Sequence, residues 1–341
     1  MSVTASVAPP PASSSASAFA DATIVAEGLR KAFGAVRAVD GMSLAVRPGE
    51  AYGLVGPDGA GKTTFMRLLV GALRPDAGRA TVGGYDLDTH GGAARAGIGY
   101  LAGRFSLYGD LTVAENLRFF GQVRGLSGDL LRTRARELLG FVGLGGFEAW
   151  RAERLSGGMK QKLGLACALI HRPRVLLLDE PSGGLDPLTR RDLWQLIGRV
   201  IGEGAAVLVS TPYMDEAVRC GRIGLMREGR LVAEGRPADL TASLSGLVLE
   251  LSAGPRRLVQ RVAAEDPEVR EVLAFGDRFH LLVTGAEGPL ERLPDALRAA
   301  GASFDLLRPI APGLEDAFIS LYGQAAAETS PGPRETLSAH G

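Results

Sequence analysis

The amino-acid sequence of 341 residues predicts an α/β fold, in which a phosphate-loop core carries an antiparallel β edge and a helical insert and precedes a small α+β domain. Three observations predict this architecture. A glycine-rich loop follows an apolar strand and precedes a helix. Continuous apolar runs are typical of parallel strands that are covered on both faces. Short strands and helices then alternate over residues 247–323.

The glycine-rich loop at residues 56–64 is the strongest local signal in the chain. It follows the apolar run 51–55 and precedes a helix predicted over 63–73, which the Arg-Pro-Asp sequence ends. Loops of the form G-x-x-x-x-G-K-[ST] turn successive backbone N–H groups around the β-phosphate of a nucleotide. The predicted nucleotide-binding residues here are Gly56, Pro57, Asp58, Gly59, Ala60, Gly61, Lys62, Thr63 and Thr64.

Four side chains carry the chemistry that this loop predicts. Lys62 should reach the β- and γ-phosphates, and Thr63 should place its hydroxyl on Mg²⁺. Asp179, at the end of the apolar run 175–178, should hold Mg²⁺ through water, as an aspartate at this position does in phosphate-loop proteins. Glu180 follows directly. A carboxylate there can orient a water and accept its proton, which contributes about 10²- to 10⁴-fold to a rate.

The strands on either side of the loop indicate two kinds of sheet. Residues 23–26 and 43–46 flank a polar segment as short antiparallel strands would. The continuous apolar runs 175–178 and 207–209 instead predict buried parallel strands. The core should therefore combine a parallel sheet with an antiparallel edge.

A helical insert interrupts the core over about residues 104–160. Apolar residues recur at intervals of three and four in 113–123 and in 130–144, which predicts two helices. We expect the whole nucleotide-binding domain to span residues 22–243.

The C-terminal part predicts a separate accessory domain over residues 247–323. Its elements follow the order of a small β-α-β-β-α-β unit. Residues 1–21 and 324–341, rich in Ala, Ser, Pro and Thr, predict disordered tails. The elements are expected at 247–251, 256–264, 270–274, 280–283, 290–300 and 304–307.

Composition excludes several classes of protein. The 38 basic and 38 acidic residues balance, so the basic excess of a nucleic-acid-binding protein is missing. No apolar run is long enough to cross a bilayer, and the N-terminal residues do not resemble a secretory signal. Cys167 and Cys220 lack Cys-x-x-Cys spacing, which argues against a disulfide framework or a zinc site. A reducing cytoplasm is the expected compartment.

Two further segments carry information about function: Leu155, Ser156, Gly157, Gly158 and Met159, and Gly183, Gly184, Leu185 and Asp186. Together with the phosphate loop they make residues 22–240 closely similar to the ATP-binding subunits of ABC transporters, whose signature and D-loop they match. The resemblance implies ATP and Mg²⁺ as cofactors and a phosphate-loop ATPase core.

The same resemblance implies that two nucleotide-binding domains act together, as a homodimer or a heterodimer. Ser156 and the amides that follow it would clasp the γ-phosphate of ATP held by the other domain, in accord with anion binding at helix N-termini. The D-loop would communicate across the dimer. Phe33 occupies the position of the aromatic residue that stacks on adenine.

Residues 104–113, 214–217 and 312–318 resemble the ABC-2-type exporter branch, which includes multidrug efflux systems. This implies a cytoplasmic subunit at the inner face of the cell membrane that drives a separate integral membrane subunit. The family's docking surface for that subunit corresponds to residues 108–124, although the apolar stripe there is equally compatible with plain packing.

Two positions depart from the family pattern. Gly103 replaces a glutamine that touches the Mg²⁺ shell, and Pro212 replaces the switch histidine. Proline offers neither an imidazole nor a backbone N–H. Three interpretations remain open: drift with modest turnover, an asymmetric dimer in which this chain's own ATP site is degenerate, and rescue by a neighbour such as Thr211.

Two rival functions also remain open. The departures suggest an ATP-binding regulator that does not hydrolyse ATP. A non-transport ATPase of the same superfamily is the other rival. The sequence argues against it, because such proteins resemble two nucleotide domains joined by a charged linker, and this chain has one set of motifs.

Overall fold

The computed structural model divides the chain into two compact units, with the division between Leu231 and Val232. The sequence predicts a first domain that continues to Ser243, a residue outside the described ranges. The structure describes residues 21–103, 107–242, 244 and 248–329. Of the tails predicted at 1–21 and 324–341, only residue 21 and residues 324–329 are among them.

The first unit contains the predicted phosphate-loop core. Its elements in chain order are β1 (Ile24–Phe33), β2 (Val36–Val46), β3 (Ala51–Val55), α1 (Lys62–Leu69), β4 (Ala77–Val82), β5 (Tyr85–Asp86), α2 (Gly91–Ala96), β6 (Ile98–Leu101), α3 (Val113–Val123), α4 (Gly128–Val142), a 3₁₀ turn (Ala152–Arg154), α5 (Gly157–Leu169), β7 (Val175–Asp179), α6 (Pro187–Gly202), β8 (Ala206–Thr211), α7 (Met214–Ala217), β9 (Arg222–Arg227) and β10 (Arg230–Gly235).

Two sheets form this unit, as the sequence predicts. A six-stranded sheet has the order β10-β9-β3-β8-β7-β6, in which β3 pairs in parallel with β8 and β9, and β7 pairs in parallel with β6 and β8. Every residue of β7 and β8 is buried, which explains their continuous apolar runs. A four-stranded sheet of order β2-β1-β4-β5 is antiparallel. A common core, with Leu54, Phe65 and Leu177 at 0% exposure, packs these layers together.

The helix after the phosphate loop ends earlier than predicted. The sequence places its end at Leu73, but α1 stops at Leu69. Gly71 has φ +70°, and the N–H groups of Gly71 and Ala72 donate to the carbonyls of Leu68 and Arg67. This is a Schellman ending, in which a left-handed glycine satisfies the last carbonyls of the helix.

The antiparallel edge is longer than predicted. β1 and β2 run well past the short apolar segments at 23–26 and 43–46 and meet in a hairpin, with Phe33 opposite Val36. Charged residues in these strands interrupt the alternation of apolar and polar residues, so the sequence pattern does not show the extension. One of them, Arg30, lies opposite Asp40 and forms an ion pair with it across the strands.

The helical insert matches its prediction closely. α3 has the predicted limits, and α4 begins and ends two residues before the predicted 130–144. Thr112 and Glu115 explain the sharp start of α3, because each side chain accepts a hydrogen bond from the other's backbone N–H, at 3.2 and 2.8 Å. This is a capping box.

The second unit confirms the predicted β-α-β-β-α-β order. The elements are α8 (Pro237–Ala242), β11 (Val248–Gly254), α9 (Arg256–Ala264), β12 (Val269–Phe275), β13 (Arg278–Val283), α10 (Glu287–Ala299), β14 (Ser303–Pro309) and α11 (Leu314–Thr329). The four-stranded sheet has the order β12-β13-β11-β14 with antiparallel pairings, and α9 and α10 share an apolar core with the sheet.

Two helices of the second unit, α8 and α11, were not predicted. α11 continues to Thr329, beyond the predicted domain limit at 323. Asp316 in its first turn accepts a hydrogen bond from the Gly313 N–H at 2.7 Å and lies 2.8 Å from His280 Nδ1 on β13. None of the helices in the described ranges is long and apolar enough to cross a membrane.

Candidate functional site

The phosphate loop lies between β3 and α1, as the sequence predicts. Gly61, directly before α1, has φ +105°, and a Cβ atom there would clash with the carbonyl oxygen of Ala38. Only glycine fits such a conformation at such a close approach. The loop therefore leads into a helix N-terminus whose free N–H groups favour an anion.

Lys62 is held inside the loop rather than free in solvent. Its side chain is 3% exposed, and Nζ donates to the carbonyl oxygens of Gly56 at 2.8 Å and Pro57 at 3.0 Å. Glu180 Oε1 lies 3.4 Å from the same Nζ. The loop thus keeps one cation fixed at the position where the γ-phosphate is predicted.

Asp179 gathers the polar groups at the carboxyl end of the parallel sheet. It is 3% exposed, and its Oδ1 accepts from Ser210 Oγ at 2.6 Å and from Thr63 Oγ1 at 3.1 Å. The predicted Mg²⁺ residues Thr63 and Asp179 are therefore neighbours, and a hydroxyl with a carboxylate suits Mg²⁺ when phosphates supply further oxygens. Across the described ranges, no group of three or more His, Cys, Asp or Glu side chains is placed to hold a metal ion.

Tyr100 on β6 contacts the other oxygen of Asp179. Its hydroxyl lies 3.5 Å from Oδ2. Burial, and secondarily the negative charge of Asp179, raise the pKa of Tyr100 to about 12. The phenol therefore stays protonated at neutral pH and can only donate to this carboxylate.

Glu180 adopts an unusual backbone conformation. Its φ is +48°, in the left-handed region, which costs a residue other than glycine about 1 kcal/mol or more. Its N–H donates to the carbonyl oxygen of Ser210 at 3.0 Å and to Ser210 Oγ at 3.1 Å. The side chain is 34% exposed, so the carboxylate can meet both Lys62 and a water.

Gly103 lies directly against these acidic residues. A Cβ atom at this position would be 3.0 Å from the carbonyl oxygen of Asp179 and 3.7 Å from Glu180 Cβ. The first distance is tight, so a side chain here would push on the backbone that carries Glu180. The adjoining segment 104–106, used for the family resemblance, lies outside the described residues.

The Thr211 hydroxyl, directly before Pro212, already has partners within the chain. Thr211 is buried, and its hydroxyl donates to Glu216 Oε2 at 2.8 Å while accepting from the Tyr213 N–H at 3.0 Å. Rescue of the missing histidine by a neighbour such as Thr211 stays a prediction.

The signature segment begins α5. Ser156 caps the helix, with its Oγ accepting from the Met159 N–H at 3.3 Å, and both Ser156 and Gly157 are exposed. At Gly158 a Cβ atom would lie 2.5 Å from Thr189 Cγ2 on α6. Gly158, the fourth residue of this segment, is therefore small because two helices approach closely.

The D-loop residues lead from Glu180 into α6. Asp186 caps that helix by accepting from the N–H groups of Leu188 at 3.1 Å and Thr189 at 3.0 Å. Hydrogen bonds from Thr189 and Leu188 hold the pKa of this carboxyl below its usual range. The signature and the D-loop are thus joined through α6.

Phe33, the predicted adenine partner, ends β1. Half of its surface is exposed, and Lys31 Nζ lies 5.8 Å from its ring centroid. The ring is not part of the core and is accessible to a ligand. Stacking on adenine stays a prediction.

Sequence reasoning missed three residues of this site: Tyr100, Ser210 and Glu216. Ser210 lies near the end of β8, after its apolar residues, and β8 pairs with β7. Because carboxyl ends of parallel strands meet at the same edge of a sheet, a polar residue there carries a usable signal. Glu216 gives no such signal, since an acidic residue in a short helix is ordinarily solvated.

Comparisons with known proteins agree with this geometry. Residues 39–183 match the family model described as ABC transporter. A probable multidrug ABC transporter ATP-binding protein of Escherichia coli is 43% identical over 317 residues, which are 91% of this chain and 54% of that protein. The chain thus spans about half the length of this relative.

Two other relatives are matched over nearly their whole length. Nod factor export ATP-binding protein I of Paraburkholderia xenovorans is 37% identical over 89% of this chain and 98% of its own. A daunorubicin resistance ATP-binding protein of Streptomyces coeruleorubidus is 37% identical over 89% and 96%.

Solved structures support the same assignment. The structure of an ATP-binding subunit of an ABC transporter has a TM-score of 0.60 and 29% identity, and covers 65% of this chain and 92% of its own. A dimeric bacterial ABC transporter cassette has a TM-score of 0.59 and 27% identity, over 62% and 98%. By its motifs, its fold and these relatives, the chain belongs to the family of ABC transporter ATP-binding proteins.

Proposed function

We propose that this chain binds and hydrolyses ATP and thereby powers an ABC exporter through a separate membrane subunit. The observation that carries the proposal is the assembly of four predicted groups at one sheet edge. Lys62 Nζ lies 3.4 Å from Glu180, and Thr63 Oγ1 lies 3.1 Å from Asp179. One pair suits the γ-phosphate and its attacking water, and the other suits Mg²⁺.

In the reaction, ATP with Mg²⁺ supplies the electrophilic phosphorus, and the protein supplies position and charge. Lys62 neutralises charge on the phosphates. Glu180 orients the water and accepts its proton. Phe33 supports the adenine ring.

The test compares ATP hydrolysis by the full-length chain with that of Glu180→Gln. We expect kcat to fall by about 10²- to 10⁴-fold while ATP binding is retained, because the amide cannot accept the proton. Glu137→Gln, the same chemical change on the exposed surface of α4, is the matched control. Equal, very slow hydrolysis by all three proteins would favour the alternative of an ATP-binding regulator, which Gly103 and Pro212 suggest.

The second part of the proposal is an asymmetric division of labour. Gly103 lies beside Asp179 and Glu180, and Pro212 directly follows β8, which pairs with the strand before the phosphate loop, whereas the exposed Ser156 segment is complete. In a dimer that segment would complete an ATP site on a second nucleotide-binding domain. The site formed around Lys62 would turn over slowly.

Restoring the imidazole tests this asymmetry. Pro212→His should raise the ATP hydrolysis rate of the isolated chain, because the side chain regains a donor near the γ-phosphate. Pro212→Ala is the control, since it removes the proline ring without adding an imidazole. Robust hydrolysis by the unmodified chain with no gain from histidine would contradict the proposal.

The proposed docking surface for the membrane subunit is residues 108–124. Tyr108 is 49% exposed, and its ring lies 4.8 Å from that of Phe119, which is also exposed. Val123 adds a further exposed apolar side chain. An exposed aromatic cluster of this kind is typical of a protein-binding surface.

A membrane partner is tested by purifying the chain from native membranes and identifying what accompanies it. Val123→Glu should reduce recovery of an integral membrane subunit, and Leu130→Glu, at an equally exposed site on α4, should not. Recovery of soluble or ribosomal proteins alone would favour a non-transport ATPase. The names of the relatives, which refer to multidrug, Nod factor and daunorubicin systems, support export as the direction.

A further inference from the structure

Glu216 is a buried charged residue that the proposed mechanism does not use. It is 0% exposed, although carboxylates are rarely buried without strong partners. Its Oε1 accepts a short hydrogen bond from Ser182 Oγ, its Oε2 accepts from Thr211 Oγ1 at 2.8 Å, and Arg190 Nε lies 3.5 Å from Oε1. One carboxylate therefore joins the loop after β7, the end of β8 and the helix α6.

Two of these partners are close in sequence to Glu180 and Pro212. Ser182 is two residues after Glu180, and Thr211 is directly before Pro212. The Gly183 N–H donates to the Glu180 carbonyl oxygen at 3.2 Å, which closes a turn containing Ser182. A displacement at Ser182 would therefore reach the backbone of Glu180 directly.

Glu180 needs such restraint because of its left-handed backbone. Conformations of this kind persist in residues other than glycine only when the surroundings over-determine them. Ser210 fixes the Glu180 N–H from one side. The bond from Ser182 to Glu216 fixes the following turn from the other.

We infer that Glu216 is a positioning residue, which holds the turn after Glu180 so that the Glu180 carboxylate stays beside Lys62 in a site that lacks the switch histidine. This inference rests on the proposed hydrolysis of ATP. It deepens that proposal by assigning the restraint of Glu180 to a residue that contacts neither ATP nor Mg²⁺. Pro212 and the hydrogen bonds of Thr211 restrict the backbone next to this network and so keep the restraint on the Glu180 turn in place.

The test measures kcat, KM and the affinity for a non-hydrolysable ATP analogue in the full-length chain. Ser182→Ala removes only the link between Glu216 and the Glu180 turn, so kcat should fall by about 10- to 100-fold, the cost of a displacement of about 1 Å in a catalytic group. Analogue affinity should stay unchanged, because Lys62 and Thr63 are not altered. A loss of global packing would lower both.

Two substitutions at Glu216 separate positioning from folding. Glu216→Met keeps the volume of the side chain but leaves the Ser182 and Thr211 hydroxyls without their acceptor. It should reproduce the loss in kcat. Glu216→Gln can still bond both hydroxyls and should restore most of it. Asp215→Asn is the matched control: this neighbouring acid also pairs with Arg190, at 3.2 Å, but is exposed and lies outside the network around Glu180. It should hydrolyse ATP like the unmodified chain.

Combination with Glu180→Gln distinguishes the possible failures. If Glu216 acts through Glu180, Ser182→Ala should add no further loss in that background. Either of two results overturns this inference but not the proposed hydrolysis. In the first, Ser182→Ala and Glu216→Met have the same kcat as the unmodified chain. In the second, Ser182→Ala lowers kcat by the same factor in the unmodified chain and in Glu180→Gln. If Glu180→Gln hydrolyses ATP as fast as the unmodified chain, the proposed general base fails, and this inference fails with it.

Discussion

The Lys62–Glu180 region and the signature region satisfy their polar groups in opposite ways. Lys62 and Asp179 are buried, and their bonds run to groups of the same chain. Ser156 and Gly157 are exposed at the N-terminus of α5. The first region is held together by contacts within the chain, whereas the second lies exposed at a helix N-terminus, a position that favours anions.

The two regions also differ in what glycine does. Gly103 lies against the backbone of Asp179 and leaves the space beside Asp179 and Glu180 without a side chain. Gly158 instead lets α5 and α6 approach closely. The two glycines thus have different physical consequences. Gly103, which departs from the family pattern, removes a chemical group, whereas Gly158, which belongs to it, preserves a contact between helices.

The largest expected effect lies in the first region. Lys62→Ala removes a buried cation from two carbonyl oxygens and Glu180, and truncation of a buried charge partner costs about 2 to 5 kcal/mol. Affinity for a non-hydrolysable ATP analogue should fall roughly 30-fold or more. Lys162→Ala, on the signature helix, is the control and should leave this affinity unchanged. Equal losses would remove the distinction between the regions.

A smaller effect is expected from Gly158→Ala. The added methyl group would lie 2.5 Å from Thr189 Cγ2, and overpacking of this kind costs about 1 to 3 kcal/mol. The melting temperature should fall by roughly 2 to 4 °C for each kcal/mol. Gly157→Ala, where a Cβ atom meets open space, should not lower it. Equal melting temperatures for the two variants would contradict close packing at α5 and α6.

The smallest effect concerns a link between the regions. His171, just after the signature helix, lies with Nε2 3.2 Å from the carbonyl oxygen of Ile98 on β6, the strand that leads to Gly103. Burial, followed by repulsion from Arg124, lowers the pKa of His171 from 6.5 to about 4. The folded state therefore binds fewer protons than the unfolded state between these pKa values.

Stability from His171 should be fully present above pH 6.5 and be lost as the pH falls towards 4. Urea denaturation at pH 7 and pH 5 measures this as a decrease in the free energy of unfolding. His171→Gln should reduce the decrease, whereas substitution of the exposed His90 should not. A pH dependence that is unchanged in His171→Gln would exclude this link as its source.

Local patterns predicted the elements that have clear periodicity. Helix α9 was predicted over its observed range, and α3 likewise, because the spacing of apolar residues is a local feature. The predicted end of α1 was wrong, because the left-handed conformation of Gly71 does not interrupt the spacing of apolar residues in the sequence. The helix α11 was missed where its first turn is fixed by contacts with β13.

The sequence by itself determined the family, the phosphate loop and the four side chains expected at its centre, because G-x-x-x-x-G-K-T followed by an apolar strand and two acidic residues admits few other arrangements. Only the tertiary structure decided what holds them. Ser210, Tyr100 and Glu216 come from separate segments and meet Asp179 or the turn after Glu180 through sheet order and burial. Apart from the polar position of Ser210 near the end of its strand, the sequence marks none of these contacts, because each depends on distances between residues far apart in the chain.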